Sequence, residues 1–157
     1  MTKQRIEKLI AECDKHLKII NTAYLKMASF MPLDATKFQQ LTDDEIEHID
    51  QFLFRFAKLQ DAMGEKMFIL LLEHLQEEHL RARPFIDILN RLEQLGLLED
   101  KNVWLELRKV RNSIAHQYED EPRQAAEGLN AIYASKPALE KIYISFRMSY
   151  AAMRDKG

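Results

Sequence analysis

The sequence predicts an all-α protein, an antiparallel bundle of about five helices that pairs into a symmetric homodimer. Three observations carry the fold class. Only four Gly and four Pro interrupt 157 residues, and the abundant Leu, Lys, Glu, Gln, Met and Ala are strong helix formers. Hydrophobic residues make up 46% and charged residues 31%, the balance of a folded chain rather than a disordered one. Apolar side chains recur at spacings of three, four and seven instead of alternating. The length suits one domain over 1–157, with enough chain to bury a core without staples.

The first helix is expected from Thr2 to about Phe30, where Ile6, Leu9, Ile10, Leu17, Ile20, Tyr24 and Met27 form one apolar stripe. "MPLDATKFQQL" then breaks the pattern, with Pro32 as punctuation. Thr42 followed by Glu45 three residues later is a capping box that opens the second helix. That helix is expected to reach about Leu75, with Phe52, Phe56, Leu59, Met63, Met67 and Leu70 as its stripe and Gly64 as a bend. Pro84 to Leu95 reads as a short third helix that stops at Gly96. A fourth runs from about Asn102 to Ala115 or His116. The last begins near Pro122, and Pro137 either kinks it or marks a short turn between two helices. Short connections favour antiparallel neighbours.

Composition also narrows function. The formal net charge of −2 argues against indiscriminate binding to nucleic acid but leaves room for a local basic surface. Cys13 is the only cysteine, so neither an internal disulfide nor a cysteine zinc cluster can form, and a reducing cytoplasm fits. The opening stretch lacks the apolar core of a signal peptide, and no run approaches the roughly 18–20 apolar residues of a membrane span. There is no Gly-rich phosphate loop, HExxH or GxSxG, and no cofactor is expected.

Several residues admit two readings. His74 and His79, near Glu73, Glu77 and Glu78, are five apart, whereas helical ligand pairs sit three or four apart, so no metal is expected. Arg81 and Arg83 either contact RNA or cap a helix C-terminus. Arg55, within "FLFRFAK", either snorkels, pairs with a carboxylate or points into a cleft. Tyr143, Phe146 and Tyr150 either stack on bases or pack a core or a dimer interface.

The chemistry concentrates in "RNSIAHQYEDEP", from Arg111 to Pro122. On a wheel of about 100° per residue, Val103, Leu107, Val110 and Ile114 share an arc of about 60°, read as the core face. Trp104, Arg108, Arg111, Asn112 and Ala115 fall opposite, with His116 at their margin. Trp104, Arg108 and Ala115 therefore mark a candidate dimer face. Arg111 and His116 diverge by about 140° on a regular helix. They can cooperate only if the helix tightens near Ala115 or if two subunits each supply one of them. Histidine exchanges protons near neutral pH, and arginine presents forked donors to phosphate oxygens. Together they are a minimal kit for cleaving RNA without metal: the ribose 2′-hydroxyl attacks its own phosphate, His116 handles protons and Arg111 steadies the negative charge. The plainer reading makes Arg111, Asn112 and His116 a polar helix end.

Arg111, Asn112, His116 and Tyr118 match the pattern R-x4-H-x-Y. With that pattern late in the fourth helix of an all-helical chain, the sequence resembles the HEPN superfamily, specifically HepT-type toxins of HEPN–MNT toxin–antitoxin pairs. The resemblance implies a homodimer whose motifs meet in an interface cleft and a metal-independent endoribonuclease with Arg111 and His116 as the catalytic pair. It implies Asn112 as a supporting residue. It also implies that Tyr118 is modified with AMP by an MNT-type nucleotidyltransferase antitoxin, which silences the toxin. Some members of the superfamily instead dock on a nucleotidyltransferase without known catalysis.

Overall fold

A computed structural model describes residues 1–116 and 121–156. Among these residues all regular structure is helical. Helix α1 spans Thr2–Met27, α2 Ala35–Gln39, α3 Asp43–Ala62, α4 Phe68–His74, α5 Phe85–Gln94, α6 Lys101–Ser113 and α7 Pro122–Lys156. No helix among the described residues is long and apolar enough to cross a membrane.

Local sequence explains most boundaries. Thr42 accepts from the Glu45 amide at 3.2 Å while the Glu45 carboxylate accepts from the Thr42 amide at 2.9 Å, so the expected capping box starts α3. Asp100 caps α6 by accepting from the Asn102 amide at 2.8 Å. Gly96 follows α5 at φ +73°, a left-handed conformation that glycine adopts without a Cβ penalty. The short α2, capped by Asp34, lies within the stretch read as a break. Five residues cannot display a stripe, which is why periodicity missed it.

The second expected helix is one run in three parts. Between α3 and α4, Met63–Met67 widen into a π turn, and the Phe68 amide donates to the Met63 carbonyl, five residues back. The wider turn re-phases the stripe: Phe68, Leu71 and Leu72 are buried beyond it, while Leu70 is only half-buried. Helix α7 continues through Pro137 rather than turning there. Its Asn130 side chain accepts from the Leu33 amide at 2.7 Å and donates to the Leu33 carbonyl at 2.8 Å. Those two bonds pin the segment between α1 and α2 to α7.

One contiguous apolar cluster draws on every long helix. Along α1 it takes Ile6, Leu9, Cys13, Leu17, Ile20, Ala23 and Met27, and α1 packs chiefly along α3. Burial pushes the Cys13 thiol up to about 12, so it behaves as a small apolar group. Tyr143 and Phe146 are fully buried and Tyr150 nearly so, which settles the C-terminal aromatics as core. The Tyr143 hydroxyl donates to the Asp14 carboxylate at 2.7 Å; burial, and then this bond, raise its pKa. The second focus of the core is Phe68. It stacks on Phe146 with centroids 4.9 Å apart and meets the Trp104 ring edge-on at 4.7 Å.

Candidate functional site

Helix α6 is turned differently from the expected wheel. Trp104 and Leu107 are its buried residues, and Trp104 is only 2% exposed. Val103, assigned to the core face, is 39% exposed. The buried arc is thus rotated by about 60° toward Trp104. The cause lies in the neighbouring helix. Gly64, in the π turn, has no side chain, and a Cβ there would sit 2.9 Å from Trp104 Cζ2. The indole fills that gap and cannot serve as a dimer face. Its Nε1 is buried without a hydrogen-bond partner.

The same rotation places Arg111 on the side of α6 that approaches α3. Its Nε and Nη2 donate to the two carboxylate oxygens of Asp61, each at 2.9 Å. This is the forked, two-bond geometry that distinguishes arginine from lysine. The pair is about one-third exposed on each side, and the bond to Asp61 raises the Arg111 pKa further above its ordinary range. Around it lies an open depression of about 580 Å³, lined among others by Gln60, Asp61, Arg108, Arg111 and Asn112. Gln60 is 2% exposed, and neither of its amide atoms has a hydrogen-bond partner. Arg108 is exposed, and its guanidinium lies over the Phe85 ring, 5.0 Å from the centroid. Asn112 is exposed.

Beyond Ser113 the chain tightens into a 3₁₀ turn, Ile114–His116, the tightening that could have turned His116 back toward Arg111. The angles argue otherwise. Two α steps of about 100° and three 3₁₀ steps of about 120° separate them by about 200°, leaving the two residues on nearly opposite sides of the helix axis. His116 is exposed. Within one chain Arg111 pairs with Asp61 and lines one depression with Asn112, while the ideal angles set His116 on a different side of the axis. Tyr118 lies outside the described residues, as does the side chain of Ala115.

Asp61 is the residue that sequence reasoning missed. It sits fifty positions from Arg111, and only the α3–α6 packing reveals the pair. Other residues singled out in the sequence make the following contacts. Arg83 donates to the Glu78 carbonyl at 2.8 Å, a local backbone contact just past α4. Arg55 Nη1 lies 3.0 Å from His16 Nδ1 on α1, and its guanidinium lies 5.6 Å from the Phe54 ring centroid. The His74 ring packs edge-on to Tyr150, whereas His79 stands in a left-handed conformation beside Glu78. Among the described residues no three His, Cys, Asp or Glu side chains gather as a metal site. No family model, curated protein or solved structure matches the chain.

Proposed function

We propose that the protein is a HEPN-like, metal-independent endoribonuclease toxin that acts as a homodimer of helical bundles, with Arg111 and His116 as its catalytic pair. The observation that carries the reading is the R-x4-H-x-Y motif in the sequence, whose Arg111, near the end of α6, pairs with Asp61 beside an open depression. The near-opposite angles of Arg111 and His116 about the helix axis favour a site shared between two subunits. In the reaction a base takes the proton of the ribose 2′-hydroxyl, and the 2′-oxygen bonds to the adjacent phosphorus. The bond from phosphorus to the 5′-oxygen breaks, and an acid returns a proton to that oxygen. Two copies of His116 would supply the base and the acid. Arg111 would steady the extra charge on the phosphate, and Asn112 would assist.

Tyr118 is the proposed acceptor of AMP from an MNT-type nucleotidyltransferase. The transfer joins the tyrosine oxygen to the α-phosphorus of ATP and releases pyrophosphate. The added bulk and negative charge would then repel RNA phosphates. A second reading, a non-catalytic module that docks on such a nucleotidyltransferase, is favoured by one observation: Asp61 already occupies two of the Arg111 donors. The deciding experiment is cleavage of total RNA by protein shown by intact mass to be unmodified. Cutting that disappears in His116→Ala, with size and circular dichroism unchanged, supports the nuclease. Unmodified protein that leaves all RNA intact, yet forms a stable complex with the nucleotidyltransferase, leaves only the docking module.

A further inference from the structure

Charge is strongly segregated on this molecule. Three shallow depressions follow one another along the outer side of α1, the first against the π turn and α4 and the other two mainly against α3. The first and second share Glu12, Glu65 and Lys66, and the second and third share Lys15. Their walls carry nine Lys or Arg against four Asp or Glu, a surplus of five positive charges. The whole chain has a net charge of −2, so the remainder carries a surplus of seven negative charges. On α1 the basic residues Arg5, Lys8, Lys15, Lys18 and Lys26 are all exposed. From Arg5 to Lys26 the helix rises about 30 Å.

An apolar feature interrupts this track. Phe54 is 54% exposed on the wall of the middle depression. The Lys58 ammonium lies 5.5 Å from its ring centroid and the Arg55 guanidinium 5.6 Å. An exposed aromatic ring held by cations inside a basic groove is a platform on which a base can stack while phosphates meet the lysines. The groove also leads to the Arg111 depression, whose lining shares Asp61 and Glu65 with the middle depression.

We infer that the α1–α3 groove is a binding track for single-stranded RNA, with Lys15 and Lys58 meeting phosphates and Phe54 stacking on a base, which delivers the strand to the Arg111 depression. The inference rests on the RNA-cleaving reading for its substrate class. Stacking requires unpaired bases, so a single strand fits better than a duplex.

The test is fluorescence anisotropy with an end-labelled 12-nucleotide single-stranded RNA, titrated with the His116→Ala protein so that the probe is not cut. Adding Lys15→Glu and Lys58→Glu together should weaken binding at least tenfold. It should also flatten the log–log salt dependence by about 1.4, at about 0.7 per lost phosphate contact. Adding Phe54→Ala should weaken binding by about 5- to 150-fold and leave the salt slope unchanged. All three side chains are exposed, and matching thermal melts verify the fold. Binding that is unchanged in both variants overturns the track. So does equal competition by an acidic peptide with no loss on Phe54→Ala, which would make the groove a protein-docking surface. The two proposals fail separately. Wild-type protein that binds RNA this way but never cuts it removes the nuclease and keeps the track. Cutting and binding that both survive the charge reversal remove the track and keep the nuclease.

Discussion

The aromatic junction around Phe68 and the outer groove between α1 and α3 use opposite physical means. At the junction, α4, α5, α6 and α7 meet through Phe68, Phe85, Trp104 and Phe146, and stability comes from dense apolar contact that tolerates little change of shape. In the groove, exposed cations stand over open depressions, and individual surface charges contribute little to stability. Substitutions at the junction should therefore move the fold, and substitutions on the charged side should move function while leaving the fold almost intact. Asp61 and Arg111 stand where the two regions touch.

The largest expected effect is at the junction. Trp104→Ala removes a nearly fully buried indole and should cost about 3–5 kcal/mol, read by urea or thermal unfolding. A loss under about 1 kcal/mol would show that the junction is loosely packed and would dissolve the contrast. Next comes Asp61→Asn, which removes the charged partner of Arg111. Because the pair is one-third exposed, stability should fall by less than about 1 kcal/mol. RNA cleavage should fall by up to about 100-fold as Arg111 loses its position. An equal loss in both quantities would place Asp61 with the junction instead.

Gly64→Ala sharpens the comparison from a third side. The new Cβ would crowd Trp104 at 2.9 Å, an overpacking cost of about 1–3 kcal/mol offset by up to about 1 kcal/mol of helix propensity. A net loss of about 1–2 kcal/mol is expected, and it should turn into a gain when Trp104→Phe is already present. A double-mutant cycle on the thermal midpoint reads this directly.

The smallest effect belongs to His16, in the groove. Burial lowers its pKa, and the neighbouring Arg55 adds to the shift, as do Lys58 and Lys15, against an opposing Glu12. A native histidine with a lowered pKa binds fewer protons than the unfolded chain. Its contribution to stability is therefore present above the ordinary value of 6.5 and lost as pH falls through the lowered one. Melting temperatures measured across that interval should decline less steeply in His16→Gln than in the wild type. Parallel profiles would remove His16 from the pH response.

Much of the fold was legible in the sequence because its signals are local. The Thr42–Glu45 box, the stop at Gly96 and the α1 stripe each depend on residues within a turn or two of one another. The rotation of α6 was not legible in this way. A wheel assumes that the apolar side is the buried side, but α6 packs against both α3 and α7. The buried arc there contains an arginine because α3 supplies a carboxylate, and it contains a tryptophan because α3 runs into a glycine. Neither partner is visible from within α6. For the site, the sequence singled out Arg111, Asn112 and His116, but not that Asp61 would hold the first of them.

The π turn has a consequence for how the chain can change length. Elsewhere in the run from α3 to α4, losing one residue would rotate everything downstream by about 100° and swing Phe68 away from Trp104 and Phe146. Met63–Met67 hold one residue more than an α turn needs. A deletion of Glu65, which is exposed, can therefore be absorbed by relaxation to ordinary α geometry with both flanks still in phase. The widest turn of the helix is also the position where the gene has room to shorten.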